Sequence, residues 1–384
     1  MHKLLYFTKI IIINIFLFYI LLFLMEIYFQ SKNNNLFKIT PYYNFKQISE
    51  NQELMPMIRP AHLKDIHSNK IVPVSIVSNK KTLLCMNSND EPIYFQSDKY
   101  GFDNIISNKK VDFILIGDSF AAGYCVSEEY RFNNQFKKMG MNIINFGMSG
   151  NGPLLIYASV IEFADLYDFK TIVWLFTPEN DYADFEREIQ NPILKKYLND
   201  DFKQNLISKD KEKEQLYLDY FKSKNRPFKE FLRQYHLDLK LIRKKIKNIR
   251  HEHNKDNFFD ILSKTSNNPD TINSVNNIIK NLKNYTDRNN KNFLVVYNVL
   301  NPEILFNKEE SGLKKDIEKN KSFLAKEGIN FLDFSDYIYK NYKRSNIDLI
   351  MKYRGENFWD HYTEEGYRLL SEQISIKVKN IQNK

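Results

Sequence analysis

The most strongly apolar segment of the chain lies near its N-terminus. From Ile10 to Met25, the only side chains that carry polar atoms are those of Asn14 and Tyr19. A helix needs about 20 apolar residues to cross the hydrocarbon core of a membrane, and this segment with its aromatic flanks reaches that length. The residues from Met25 to Gln30 offer no small-residue cleavage site, which favours an uncleaved signal anchor over a secretory signal peptide. We therefore assign residues 1–30 to a transmembrane helix.

Positive charge around this span predicts its orientation. Lys3 and Lys9 precede it, and almost no chain lies before them. Because basic ends tend to stay in the cytoplasm, we expect a single-pass membrane protein whose body lies on the periplasmic or cell-surface side. Lys32 and Lys38 follow the span as well, so the opposite orientation stays open.

Downstream of the span, the hydrophobic pattern changes near residue 109. Residues 31–108 form a polar extension with short apolar runs at 71–77 and 92–95 that resemble strands. From residue 109 onward, five buried-strand patterns alternate with helical patterns. The predicted strands cover residues 111–116, 142–146, 171–176, 293–299 and 330–333. This alternation predicts an α/β domain over 109–384 with a parallel sheet and right-handed crossovers.

A long charged segment interrupts this alternation at about residues 184–290. Two parts of it, 212–220 and 228–251, have helical composition, with a partial apolar face among many lysines. A lid, a partner-binding subdomain and a solvated helical excursion all fit this helical insertion.

Composition narrows the function classes only slightly. A formal net charge of +9 can indicate nucleic-acid binding, but no compact stripe of Arg and Lys interleaved with aromatic residues occurs. We expect no nucleic-acid partner. The two cysteines, Cys85 and Cys125, cannot form a zinc site alone, and no CxxC motif occurs. They could pair outside the cytoplasm, but the sequence leaves their pairing open.

Glycine is distributed unevenly along the chain. Seven of the eleven glycines lie between Gly101 and Gly152, where the first two predicted strands end. Glycine allows positive φ angles and close approach to a ligand, and ligands of open α/β sheets bind at the carboxyl ends of the strands. The distribution therefore indicates a site. Neither phosphate-binding glycine spacing is present, and we expect no cofactor and no metal.

Candidate chemistry follows the strand ends in order. Ser119 comes directly after the first strand, at a turn into the next segment. A serine hydroxyl needs a nearby base and oxyanion donors to act as a nucleophile, and Ser119 alone could equally be a helix N-cap. The loop around Gly150 and the side chain of Asn180 can supply donors. Of seven histidines, only His361 lies in the sheet-building region after the fourth strand, just before the final helix.

Four ordered sequence blocks resemble those of the SGNH/GDSL hydrolase superfamily. They are Gly117-Asp118-Ser119-Phe120, Asn145-Phe146-Gly147-Met148-Ser149-Gly150, Asn180-Asp181 and Asp360-His361-Tyr362-Thr363. The resemblance covers residues 109–384 apart from the insertion. It implies a flavodoxin-like three-layer α/β/α fold with a parallel central sheet.

The resemblance also implies roles for individual residues. Ser119 would be the nucleophile and His361 the general base and then acid. The oxyanion donors would be the backbone N–H groups of Ser119 and Gly150 and the side chain of Asn180. The family's acidic residue usually lies three or two positions before the histidine, where this chain has Phe358 and Trp359. Asp360, immediately adjacent to the histidine, is the first candidate for the acid, and Glu356 is the second.

Together these features predict a membrane-anchored serine esterase or O-acyl(acetyl)transferase that acts through an acyl-enzyme. The expected substrate is an ester-bearing small molecule or a cell-envelope or secreted glycan. A transferase would also need a membrane partner as acyl donor. The alternative is a catalytically impaired relative that binds or assembles glycan, which the irregular position of the acid favours.

Overall fold

A computed structural model of the chain describes the positions of most of its residues. These are residues 2–32, 54–56, 59–60, 63, 71–86, 92–104, 109–199, 202–224, 239, 242, 269–298, 301–306, 312–353 and 359–383. The chain divides into two units. One comprises Met1–Thr40 and Phe221–Asp260, and the other comprises Pro41–Tyr220 and Ile261–Lys384. The helix predicted over 228–251 lies outside the described residues, apart from single positions.

Helices and strands alternate through the second unit. The strands are β1 (Leu54–Pro56), β2 (Lys81–Met86), β3 (Pro92–Gln96), β4 (Phe113–Gly117), β5 (Ile143–Asn145), β6 (Thr171–Phe176), β7 (Asn292–Tyr297), β8 (Asn330–Asp333), β9 (Met351–Tyr353) and β10 (Trp359–Tyr362). The helices are α1 (His2–Lys32) in the first unit, then α2 (Phe132–Lys138), α3 (Pro153–Phe163), α4 (Pro178–Glu188), α5 (Pro192–Lys195), α6 (Asp210–Lys224), α7 (Pro269–Arg288), α8 (Pro302–Leu305), α9 (Gly312–Lys326), α10 (Phe334–Asn341) and α11 (Glu364–Gln382).

The central sheet contains five parallel strands in the order β5-β4-β6-β7-β8. Counted along the chain, this is the order 2-1-3-4-5 of the flavodoxin-like fold, which confirms the predicted fold class. Every residue of β4 and β6 is buried. Strands covered on both faces need apolar side chains on both faces, so these strands have continuous rather than alternating apolar runs.

Helices cover both faces of this sheet. Helices α2 and α11 contact each other in one layer, and α3, α4, α7 and α9 contact one another in the other layer. Helix α7 shows why such helices form. Its apolar residues recur every three or four positions and are buried, which places one apolar stripe against the sheet. This helix lies inside the range 184–290 and forms the crossover into β7.

The predicted strands of the sheet are all present. Strands β6 and β8 have the predicted bounds, and the others differ by a few residues at their ends. The apolar run at 71–77 is buried, but it is not a strand as the pattern predicts. Several of its backbone groups bond to side chains instead: Val72 exchanges hydrogen bonds with Gln204 at 2.7 and 3.0 Å, and the carbonyl of Val74 accepts one from Asn151 at 2.8 Å. Buried backbone groups need partners, and here side chains replace a neighbouring strand.

Helix α1 contains the segment predicted to cross a membrane. Its apolar part, Tyr6–Tyr28, is 23 residues long with a mean hydropathy of 2.7, so by length and composition it can span a bilayer. Within the same unit, the backbone N–H of Ile242 donates to the carboxylate of Glu26 at 2.9 Å.

A disulfide joins the extension to the region that follows Ser119. Cys85 in β2 and Cys125 form this bond, with their Cα atoms 5.7 Å apart. The sequence left this pairing open, and the structure decides it. The bond ties β2 to the turn-rich segment between Ser119 and α2.

We expect loss of the disulfide to lower the stability of the protein. Replacing both cysteines (Cys85→Ser with Cys125→Ser) should reduce the free energy of unfolding by about 2–4 kcal/mol, because the unfolded chain loses a cross-link that closes a loop of some 40 residues. Urea denaturation of the full chain in detergent measures this change. Dithiothreitol should destabilise the wild type to a similar extent and leave the variant unaffected. A variant as stable as the wild type would contradict the expectation.

Candidate active site

The predicted site residues gather at the carboxyl edge of the central sheet. Ser119 lies two residues after β4, Gly150 follows β5, and Asn180 lies in the first turn of α4, directly after β6. Since β4 lies between β5 and β6, these three chain segments emerge side by side. Strand order reverses between β4 and β6, and such a switch point forms a crevice where ligands bind in open α/β sheets.

The fourth predicted residue reaches the same edge from a separate hairpin. Strands β9 and β10 pair antiparallel, and β10 carries His361 immediately before α11. The side chain of Thr363 caps α11 by accepting from the N–H of Gly366 at 3.1 Å. As a result, Nε2 of His361 lies 2.6 Å from Oγ of Ser119, within hydrogen-bond reach.

Two aromatic rings hold the imidazole. The ring of Phe120 lies 4.5 Å from that of His361, and the ring of Tyr124 lies 4.7 Å from it, measured between centroids. Both residues belong to the segment just after Ser119, which the disulfide at Cys125 ties to β2. The same short segment therefore carries Ser119 and packs against the ring of His361.

Asp118 organises the interior of the site. Its side chain is 1% exposed. Oδ1 accepts from the N–H of Phe120 at 2.9 Å and from the hydroxyl of Thr177 at 3.3 Å, and Oδ2 accepts from Nδ2 of Asn180 at 3.0 Å. Burial raises the pKa of Asp118, while these hydrogen bonds and the charge of His361 lower it.

The bond to Asp118 orients the amide of Asn180. An amide nitrogen carries two hydrogens, and one of them is directed at the carboxylate. The second hydrogen remains for an oxyanion. Within the described ranges, the backbone N–H groups of Ser119 and Gly150 make no hydrogen bond, so both predicted backbone donors are also available to a ligand.

A hydrogen-bond chain that the sequence did not reveal links Tyr362 and Asp118, the neighbours of His361 and Ser119. The hydroxyl of Tyr362, next to His361, donates to Oδ1 of Asn298. Nδ2 of Asn298 lies 3.3 Å from the hydroxyl of Thr177, which itself bonds to Asp118. Asn298 directly follows β7, so its position at a strand end was the available signal. No motif distinguishes it from the many other asparagines of this chain.

The loop after β5 is shaped by glycine. Gly150 has φ +80°, a conformation that side chains with a Cβ rarely adopt. A Cβ at Gly147 would lie 2.6 Å from the backbone of Ala121, so only glycine allows this close approach. Asn145 fastens the two segments, since its side chain accepts from the N–H of Gly147 and donates to the carbonyl of Ala121, both at 2.7 Å.

Glu188 caps the helix that follows this loop. Its buried carboxylate accepts from the N–H groups of Gly152 at 2.6 Å and Leu154 at 2.8 Å, at the N-terminus of α3. Burial raises the pKa of Glu188 to about 7, although these backbone donors lower it. The carboxyl group therefore anchors the end of the Gly150 loop to α4.

The acid predicted to support the histidine is not located. The backbone of Asp360 belongs to β10, but its side chain lies outside the described residues, as does all of Glu356. Asp118 is a described carboxylate that interacts electrostatically with His361. The role of Asp360 stays a prediction.

This arrangement suits nucleophilic attack on a carbonyl or an equivalent electrophile. A serine hydroxyl is bonded to an imidazole, and three donors lie at neighbouring strand ends where an oxyanion would form. A hydroxyl bonded to an imidazole beside oxyanion donors is the arrangement that serine hydrolases use.

Comparisons with known proteins yielded similar solved structures only. No family model matches the chain, and no curated protein matches it. A member of the lipolytic protein G-D-S-L family from Veillonella parvula is 13% identical, with 69% of this chain and 96% of that chain covered and a TM-score of 0.35. The acetyl xylan esterase AlAXEase is 9% identical, with 69% and 98% covered and a TM-score of 0.37. AlinE4, an SGNH-hydrolase family esterase, is 11% identical, with 72% and 98% covered and a TM-score of 0.32.

These structures carry names from the superfamily that the four sequence blocks resemble. Since the TM-scores are below 0.5, the fold class rests on the strand order of the sheet and on its helical layers. The chain has the three-layer α/β/α fold with a parallel five-stranded sheet.

We expect Asp118→Asn to slow the reaction of Ser119 with a fluorophosphonate probe by roughly tenfold or more. An amide at position 118 removes the charged acceptor that orients Asn180, and loss of an oxyanion donor costs about a hundredfold or more in rate. The labelling rate of the full chain in detergent measures this. Asp168→Asn, at an exposed carboxylate near the amino end of the sheet, is the matched control. Equal labelling rates for wild type and Asp118→Asn would rule out the orienting role.

We expect Glu188 to make the stability of the protein dependent on pH. Between pH 4.5 and about 7, the folded protein keeps a proton on Glu188 that the unfolded chain has lost. The contribution of Glu188 to the free energy of unfolding is therefore fully present below pH 4.5. It is lost as the pH rises through 7, and the loss is at most about 3 kcal/mol. Urea denaturation from pH 4.5 to 8 should show this slope in the wild type and a flatter profile in Glu188→Gln. If the free energies of unfolding of the wild type and Glu188→Gln changed with pH in parallel, the raised pKa of Glu188 would be contradicted.

Proposed function

We propose that this protein is a membrane-anchored serine hydrolase of the SGNH kind that cleaves or transfers an ester-linked acyl group. The observation that carries the proposal is the 2.6 Å contact between Oγ of Ser119 and Nε2 of His361 at the switch point of the sheet. The neighbouring Asn180 amide and the two unoccupied backbone N–H groups support it.

In the proposed reaction, Nε2 of His361 takes the hydroxyl proton as Oγ of Ser119 attacks the ester carbonyl. The carbonyl oxygen becomes an oxyanion that accepts from the backbone N–H groups of Ser119 and Gly150 and from Nδ2 of Asn180. Collapse of this intermediate expels the alcohol, which receives the proton from His361, and leaves an acyl group on Ser119. A water molecule or a sugar hydroxyl then attacks the acyl-enzyme by the same steps, and the free serine is restored.

The proposed base needs its ring held in one orientation. The aromatic rings of Phe120 and Tyr124 restrict it, and the hydrogen-bond chain from Tyr362 through Asn298 and Thr177 holds its strand against Asp118. We propose that Asp360 bonds to Nδ1 of the ring. Buried Asp118 also interacts electrostatically with His361 and, when ionised, would stabilise the imidazolium that forms.

Location suggests the substrate class. An anchored catalytic body on the outer side of the membrane would meet esters of cell-envelope or secreted glycans, which we propose as substrates. The apolar span Tyr6–Tyr28 supports anchoring, and the disulfide Cys85–Cys125 supports an oxidising compartment. If the enzyme transfers the acyl group to a sugar, a membrane partner would supply the acyl donor.

We expect the full chain in detergent to hydrolyse 4-nitrophenyl acetate. Ser119→Ala and His361→Ala should each lower kcat by at least about a thousandfold, and the double variant should be little worse than either, because the two residues act as a unit. Release of 4-nitrophenolate measures the rate. Ser127→Ala, eight positions further along the same segment, is the matched control.

Two results would contradict the proposal. Hydrolysis that persists in Ser119→Ala would exclude Ser119 as the nucleophile. A folded wild type that neither hydrolyses the ester nor reacts with a fluorophosphonate would instead support a glycan-binding protein with this fold.

A further inference from the structure

Arg59 lies against the glycine proposed as an oxyanion donor. A Cβ placed on Gly150 would lie 3.0 Å from Cδ of Arg59, 3.6 Å from its Cβ and 3.7 Å from its Cγ. The whole aliphatic part of this side chain therefore crosses Gly150, and the absence of a side chain at position 150 makes room for it. Arg59 is an exposed residue of the segment before the catalytic sheet, so its charged end is open to solvent.

Other contacts fasten this N-terminal segment to the same loop. Asn151, which follows Gly150, is fully buried and donates to the carbonyl of Val74 at 2.8 Å. The backbone of Val72 in turn is held by Gln204. Residues before the sheet thus form one wall of the loop that carries an oxyanion donor.

None of the described carboxylates forms an ion pair with Arg59. Asp184 and Glu188 lie beside the end of this loop, where a Cβ on Gly152 would meet their side chains. Glu188 already accepts from the backbone at the start of α3, and Asp184 pairs with Arg187. Among the residues that the structure describes, Arg59 makes no hydrogen bond and no ion pair. Its guanidinium therefore remains available to a ligand.

A guanidinium group in this position suits a particular kind of ligand. It presents a planar fork of N–H donors that binds carboxylate and phosphate groups in pairs of hydrogen bonds. An ester whose carbonyl oxygen accepts from the N–H of Gly150 would have its neighbouring substituents close to this fork. A neutral substituent would form only weak interactions with the guanidinium, whereas an anionic one would form a charge-assisted hydrogen bond.

We propose that Arg59 is a specificity-determining residue that binds an anionic group, a carboxylate or a phosphate, carried by the ester substrate. The proposal rests on the proposed function, because it assumes that the ester reacts at Ser119. It narrows the substrate class to acidic esters, such as an acylated glycan with charged sugars or an acyl donor with a charged leaving group.

The test compares pairs of esters that differ only in charge. On the alcohol side the pair is 4-acetoxybenzoate and 4-acetoxybenzamide. On the acyl side it is the 4-nitrophenyl ester of adipic acid with its far carboxylate free and the same ester with that carboxylate blocked as an amide. For the full chain in detergent, kcat/KM is measured for each ester with wild type, Arg59→Gln, Arg59→Lys and the control Lys109→Gln. The control removes one exposed positive charge at the amino end of β4.

We expect Arg59→Gln to lower the ratio of kcat/KM for the anionic ester to that for the neutral ester about tenfold, in one of the two pairs. The pair that responds identifies whether the anion belongs to the alcohol or to the acyl group. Arg59→Lys should restore part of the ratio, since it keeps the charge and loses the fork. The ratio in wild type should fall as salt is added, and Lys109→Gln should not change it.

Two results would overturn the proposal. One is an unchanged ratio in both pairs. The other is an equal loss on neutral and anionic esters, which would mean that Arg59 acts on the oxyanion or on the fold of the loop. If no ester turns over, the proposed function fails. Titration calorimetry of 4-hydroxybenzoate and adipate against their amides, with wild type and Arg59→Gln, then decides the binding role independently of turnover.

Discussion

A carboxylate buried at the end of a parallel strand needs hydrogen-bond donors from several directions, because burial without them costs several kcal/mol. Asp118 meets this requirement with three donors from two parts of the chain: the N–H of Phe120 beside it, and the hydroxyl of Thr177 and the amide of Asn180 after β6. Satisfying the carboxylate thereby positions the residues around it. The segment after β4 turns so that Ser119 reaches His361, and the amide of Asn180, a proposed oxyanion donor, is held in one orientation.

The same need for paired polar groups extends to the strand that carries His361. Thr177 passes the hydrogen-bond chain to Asn298, and Asn298 accepts from Tyr362, the neighbour of His361. Three strand ends and the β9–β10 hairpin are therefore joined through polar groups that are buried and paired. Such networks are rigid when every member is satisfied, and rigidity is what a preorganised oxyanion site needs.

The segment between α1 and the central sheet connects them in the sequence, and it also contributes contacts to this site. The disulfide from Cys85 secures the segment that carries Ser119 and the aromatic rings around His361. Val74 and Arg59 contact the loop of Gly150. A segment whose sequence has no regular periodicity thus packs against the loop of Gly150, where we propose that it contributes to substrate specificity.

The strands could be predicted because their signal is local. A strand covered on both faces is apolar throughout, and β6, which is buried at every residue, ends where its apolar run ends. The run at 71–77 shows the limit of that rule. It is apolar because it is buried, but side chains such as Gln204, far along the chain, satisfy its backbone, so no strand forms. Burial can be inferred from composition, whereas the partner of a backbone group cannot.

The features of Ser119 divide in the same way between those that the sequence determines and those that the tertiary structure decides. Its place after an apolar strand, the order of the four blocks and the apolar span near the N-terminus were determined by the sequence itself, because each depends on residues close together in the chain. Only the tertiary structure decided that Ser119 meets His361 across 242 positions, that Asn298 joins their strands, that Cys85 pairs with Cys125, and that Arg59 lies on Gly150. These contacts depend on how distant segments pack, and residues far apart in the chain leave no periodic pattern that records which of them will touch.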